Sequence, residues 1–303
     1  MPLTRRRLLE LAAALPLAQM AGGARAQSLS LGAGRLDTLS DGHLVLPRDF
    51  ILGTVPEAEA APILAAHGIT GDTVSPPCNL TLWQEGGRKV LFDAGSGAGF
   101  MPSAGKLAEA LDAVGVGAAE ITHVIFTHAH PDHLWGVLDE FDDPVFANAS
   151  YMIGQAEWNY WTDPATVESI GEARAAFAVG AARRLAEIED RLEFITGGQE
   201  VLPGILAHDS TGHTPGHMAF EIRQGSEAVM VVGDAIGNGH LALARPDWPS
   251  GADQDPETGI ATRTRLLDML ATDRMAMVGF HLPEGGLGHV ERHDGAYRFV
   301  PEV

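Results

Sequence analysis

Cysteine is nearly absent. Cys78 is the one thiol among 303 residues, so no internal disulfide can form, and it reads as a small core residue. Basic residues are scarce too, 20 against 40 acidic ones, for a formal net charge of −20. Without a basic stripe the chain has no means to track phosphates, which excludes nucleic acid and anionic membrane surfaces as partners. The apolar run over residues 11–21 is too short to cross a bilayer, so no stable membrane anchor is expected. The glycine-rich stretch 93–97 lacks the Gly-Lys-Ser/Thr of a phosphate-binding loop and reads as a tight turn. No Gly-x-Ser-x-Gly nucleophile elbow occurs either. What the chain does have is 45% apolar residues and 36 glycines, the balance of a globular protein with many tight turns.

The first 26 residues stand apart. Thr4-Arg5-Arg6-Arg7-Leu8-Leu9 is a twin-arginine start, and Ala24-Arg25-Ala26 offers small residues where a signal peptidase reads. Residues 1–26 are therefore expected to be an export signal cleaved after Ala26. Residues 27–303 would form a single domain in the periplasm.

Along that domain, residues 36–71 read as loop-rich, with weak strand signals at 44–46 and 50–52. Strands at 79–83 and 89–92 flank Glu85-Gly86-Gly87 and look like a hairpin. Residues 107–114 have helical spacing, and 121–126 is an apolar, β-branched run of the buried-strand type. Short strands at 144–146 and 151–153 precede a helix over 166–188. The second half repeats the theme, with strands at 205–209, 218–222, 228–232 and 275–278 and a helix over 261–271. Strand groups with helices in both halves predict two sheets packed together with helices outside, an α/β four-layer αββα sandwich.

The histidine-rich run Thr127-His128-Ala129-His130-Pro131-Asp132-His133 begins where the strand over 121–126 ends. Three imidazoles and a carboxylate so close together have the chemistry of a metal site, and nitrogen/oxygen ligation suits zinc. Three more candidates follow strand ends: His213 in Thr211-Gly212-His213-Thr214-Pro215-Gly216-His217, Asp234 after Val231-Val232-Gly233, and His281 after Val278-Gly279-Phe280.

In that order, His-x-His-x-Asp-His followed by a later His, a later Asp and a last His, the chain resembles the metallo-β-lactamase superfamily from about Asn79 to His281. The resemblance implies two divalent metal ions, zinc being the best suited. His128, His130 and His213 would hold one, Asp132, His133 and His281 the other, and Asp234 would bridge them. It makes His213 the ligand and His217 a supporting or packing residue. It also matches Asp93 to an aspartate that supports a ligand imidazole; a turn-stabilising Asx residue is the alternative. The complete ligand set resembles the dinuclear branches, and most nearly the exported methyl-parathion-hydrolase and lactonase-like group. Branches with a Cys ligand match less well, because Asp234 stands where their thiolate would be.

That resemblance implies a dinuclear metal-dependent hydrolase in which a metal-bridging hydroxide attacks a small ester, lactone or phosphotriester. Asp132 would orient the nucleophile, act as a ligand, or both. Trp135, two positions past His133, is the first candidate for a pocket wall, with Trp158, Trp161, Phe50 and Phe280 as further ones. A homodimer would be in keeping with the family. Two other readings stand beside this one: a mononuclear iron sulfur dioxygenase on the same fold, and a non-catalytic binding protein, against which the intact ligand set argues.

Overall fold

The computed structural model describes residues 27–302, so the expected export signal lies outside the described residues. The first sheet is assembled from β1 (Ser28–Leu31), β2 (Gly34–His43), β5 (Pro77–Glu85), β6 (Arg88–Phe92), β7 (His123–Ile125), β8 (Ser150–Gly154) and β9 (Leu192–Ile195), side by side in that order. β3 (Leu46–Pro47) and β4 (Thr73–Val74) pair separately. The second sheet runs β10 (Glu200–Leu202), β11 (Ile205–Asp209), β12 (Met218–Gln224), β13 (Glu227–Val231), β14 (Ala276–Val278), β15 (Leu287–His293) and β16 (Ala296–Pro301).

Helices α1 (Arg48–Leu52), α2 (Glu57–Ala66), α3 (Leu107–Ala113), α4 (Pro131–Leu134), α5 (Gln155–Thr162), α6 (Pro164–Ser169) and α7 (Ala175–Ile188) belong to the first half; α8 (Leu241–Ala244) and α9 (Pro256–Asp273) belong to the second. Alternation along single strands shows the layering. In β6, Val90 and Phe92 point into the space between the sheets, while Leu91 packs under α3 and α7. In β13, Val229 and Val231 face the same inter-sheet core, while Met230 packs against Leu266, Leu267 and Leu270 of α9. Phe92 meets Phe220 across the gap with ring centroids 5.5 Å apart. The result is the αββα sandwich, with each sheet buried on both faces as continuous apolar strands require.

Parallel pairing places the site. β6, β7 and β8 run parallel in one sheet and β13 and β14 in the other, so the loops after these strands emerge on one edge of the sandwich. Elsewhere the structure departs from the sequence expectations: β1, β9, β10, β15, β16 and α5 carry no expectation, and three stretches differ from theirs. Residues 34–43 form a long strand and residues 48–52 and 57–66 are helices, where the sequence carries loop and weak strand signals. The apolar stretch 144–146 makes a single bridge, Leu138 to Pro144, with Phe146 buried in the core without forming a strand. The helix expected over 166–188 is broken at Gly171, whose φ of 92° no right-handed helix accepts.

Candidate metal centre

All seven candidate ligands come together on the loop edge of the sandwich, each at most 8% exposed. His128 and His130 lie in the turn that leaves β7, and α4 carries Asp132 and His133. His213 comes from the β11–β12 loop, Asp234 from the turn after β13 and His281 from the turn after β14. His130 Nδ1 lies 3.0 Å from His128 Nε2 and 2.9 Å from His213 Nε2, so three ring nitrogens converge on one point. His281 Nε2 lies 3.3 Å from Asp132 Oδ2 and 3.2 Å from Asp234 Oδ2. Asp234 is central. It is also 3.4 Å from both His133 Nε2 and His213 Nε2, and so touches both halves of the cluster. Cys78 is buried beside them, its sulfur within 4.8 Å of the ligand atoms of Asp132 and His281.

The donor set fits divalent metal ions. Asp132 Oδ2, His133 Nε2 and Asp234 Oδ1 are buried and make no hydrogen bond among the described residues. Three bare polar atoms, all aimed at one point, would be costly in a finished polar network and are what a cation needs. Charge is arranged to match. Burial, and then the crowding of neighbouring imidazoles, holds His128 and His130 well below the usual histidine range, leaving their lone pairs free. Burial pushes His133 and His281 down as well, but the carboxylates around them win. Asp132, Asp234 and Asp93 lift His133, and Asp234 and Asp132 lift His281, well above that range. A cation arriving between the carboxylates therefore displaces protons from these two rings.

Several candidate ligands are aimed by a second group. Asp93 follows β6 in a left-handed conformation, φ 66°, and its Oδ2 lies 2.8 Å from His133 Nδ1. The same carboxylate accepts from the Thr127 N–H at 2.7 Å and from the Thr127 hydroxyl, so the turn is held at both ends. His281 Nδ1 donates to the Pro77 carbonyl at 2.7 Å. Asn79 ties the His281 turn down by donating to the carbonyls of Phe280 and Leu282. His217 is not in the ligand cluster. Its Nε2 accepts the Asp234 backbone N–H at 3.0 Å and its Nδ1 meets Ser210 Oγ at 2.8 Å. Burial and the nearby His213 push His217 down to about 3, which keeps it a neutral acceptor. Gly233 must be glycine here: it has φ 51°, and a Cβ would come 2.7 Å from His217 Nε2.

Two supporting residues went unread in the sequence. Asp253 Oδ1 lies 3.2 Å from His213 Nδ1, and its other oxygen is 3.2 Å from Arg263 Nη1. Glu157, fully buried, accepts from the Ala129 N–H, Trp161 Nε1, the Thr214 hydroxyl and the Gly216 N–H, at 2.6–3.0 Å. It thereby ties the His128–His130 turn to the His213 loop. Gly216 packs against the Glu157 backbone, where a Cβ has no room. The available signal for Glu157 was its place just after an apolar strand and between tryptophans in Glu157-Trp158-Asn159-Tyr160-Trp161; Asp253 has none.

Trp135, read as a pocket residue, stands one layer behind the cleft. It meets Phe100 edge-on at 5.4 Å and lies under the Arg184 guanidinium at 4.3 Å, because the turn after α4 carries it towards α7. Trp161 packs edge-on to His130 at 5.6 Å, Trp158 packs on Phe194, and Phe280 covers the His133 ring at 3.8 Å. Of the aromatics read in the sequence, Phe50 is the one on the wall of the cleft above the cluster. The others there are Phe100, Phe177 and Trp248, with Ile51, Val55 and Leu241. His289 and His293 pair with Glu302 and Asp294 away from the site.

Convergent imidazoles and carboxylates at the loop edge of an αββα sandwich define a metal-dependent hydrolase. The chain belongs to the metallo-beta-lactamase superfamily, whose model matches residues 75–281. Its fold is similar to that of AidC, a dizinc quorum-quenching lactonase solved with its N-hexanoyl-L-homoserine product. The two are 26% identical, the TM-score is 0.86, and the match covers 92% of this chain and 97% of that one. It also resembles the hydrolase AbOPH, at 23% identity and TM-score 0.85, over 93% of this chain and 98% of that one. The uncharacterized protein YobT of Bacillus subtilis (strain 168) is 28% identical over 200 residues, 63% of this chain and 78% of that protein.

Proposed function

We propose that this protein is a dinuclear metal-dependent hydrolase that opens a small ester or lactone carrying an apolar acyl part. The observation that carries this is the position of Asp234, within 3.4 Å of His133, His213 and His281, between two groups of donors. His128, His130 and His213 would hold one ion, and Asp132, His133 and His281 the other, with Asp234 shared. When bound, the two ions would acidify a shared water and withdraw charge from the carbonyl oxygen.

The remaining work falls to the chain. Asp93 and the Pro77 carbonyl keep Nδ1 of His133 and His281 protonated, so that Nε2 of each faces the site. Asp253, pinned by Arg263, does the same for His213. Asp132 turns Oδ2 to His133 and His281 and leaves Oδ1 to take the proton of the attacking water. Phe50, Val55, Leu241 and Trp248 exclude bulk water from the acyl part and strengthen the electrostatics below them. The product seen on AidC, an acyl chain on a polar head, supports the same choice of substrate class.

Hydrolysis of acyl lactones and esters by the metal-replete protein, abolished by a chelator and restored by zinc, tests this reading. A single iron per chain with oxygen uptake would replace it by the sulfur dioxygenase reading. We further infer export through the twin-arginine segment, checked by cell fractionation of the tagged chain, and a homodimer in solution, checked by sedimentation.

A further inference from the structure

His240 stands with Val74, Pro76, Asn238 and His281 where two cavities adjoin. It borders the apolar cleft above the metal centre and also a neighbouring groove of about 430 Å³, which His281 borders as well. The two spaces differ in chemistry. Phe50, Val55 and Trp248 wall the cleft, whereas Thr70, Thr73 and Ser75 stand exposed along the groove. A substrate bond held beside His281 would therefore have an apolar space on one side and a more open space of mixed polarity on the other.

The backbone sets the protonation of His240. Its Nδ1 accepts the Leu241 N–H at 2.9 Å, capping α8, so the ring's single proton sits on Nε2. Among the described residues nothing accepts from that Nε2, and the atom stays open to the cavities that His240 borders, where a bound molecule can take the place of water as its acceptor. Burial, and then His67 on the groove side with its ring centroid 6.0 Å away, disfavour a second proton, and the group is pushed down to about 4.

We propose that the substrate is bipartite and that His240 positions it: an apolar acyl part fills the cleft, a polar alcohol part lies in the groove, and the His240 Nε2–H donates to an oxygen of that alcohol part. This rests on the hydrolase reading above. Hydrolysis then breaks the acyl C–O bond between the halves, adds the hydroxyl of water to the acyl carbon and returns one proton to the leaving oxygen. His240 is a positioning residue in this scheme and takes no proton.

Two esters of one apolar acid test the assignment, one of ethanol and one of glycerol, with the metal-replete protein. His240→Asn keeps an acceptor for the Leu241 N–H but cannot reach the groove, whereas the His240→Gln amide reaches the Nε2 position. For His240→Asn, KM for the glyceryl ester is expected to rise about 3- to 10-fold, the loss of one neutral hydrogen bond, with kcat and the ethyl-ester KM within about twofold. His240→Gln should recover most of that rise. A loss shared equally by both esters, or no change for either, overturns the assignment. A wild-type protein that turns over neither ester overturns the hydrolase reading, and this inference with it.

Discussion

Asp93 Oδ2 lies 2.8 Å from His133 Nδ1, so a carboxylate that ends a strand of the first sheet aims an imidazole at the metal centre. The same carboxylate holds the Thr127 backbone N–H. One residue thus fixes a ring and the turn leading to the ligand run.

Asp93→Asn should test that role with little backbone disturbance, since asparagine tolerates the left-handed conformation at this position. Loss of the charged partner of the ring should weaken metal binding about 10- to 100-fold, read by competition with a chromogenic chelator. Unchanged affinity would reduce Asp93 to a turn residue.

Removing His217 acts on Asp234 through the backbone. His217→Ala leaves the buried Asp234 N–H without an acceptor, at a cost of about 1–3 kcal/mol in urea unfolding of the metal-free protein. His217→Gln, which can still accept, should lose less. Equal losses from the two variants would show that packing volume, not the hydrogen bond, matters at this position.

Glu157 should be the more severe loss. Glu157→Ala strips the acceptor from three donors on two candidate-ligand loops and from Trp161 on its own helix, and a cost of about 3–5 kcal/mol is expected, with lowered metal occupancy. A variant with the wild-type melting temperature would contradict the cross-loop role.

The pH dependence of folding follows from His240. Its folded pKa, about 4, lies below an unfolded value near 6.5, so in the window between them the unfolded chain binds the extra proton. The contribution is complete above about pH 6.5 and is lost as pH falls through about 4. His240→Asn should flatten the stability profile between those values by up to about 3 kcal/mol. Parallel profiles for the two proteins would place the shift elsewhere.

The grouping of the candidate ligands was legible in the sequence because they follow apolar strand runs, and because His128 to His133 lie on one turn and a four-residue helix. The supporting groups were harder to read. Asp253 reaches His213 from 40 residues away, through a loop whose composition carries no pattern. β2 hid behind its own polar composition: Leu36 and Leu39 are its only apolar side chains, and Asp41 is buried because it accepts from the N–H groups of Ser96, Gly105 and Leu107. α2 carried ordinary signals, Pro56 followed by Glu57 and Glu59 on an alanine-rich stretch, but the turn residues around it masked them. Trp135 shows the opposite failure. Closeness to His133 in sequence did not make it a cleft residue, because the turn after α4 swings it behind Phe100.

The central claim is a shared two-metal site, and metal content tests it most directly. Protein loaded with zinc and freed of excess should carry two zinc ions per chain by elemental analysis. Asp234→Ala should lower the affinity of both sites, since its carboxylate touches both groups of donors. One ion per chain in the fully loaded wild type, or an Asp234→Ala protein that binds two ions as tightly as before, would contradict the account.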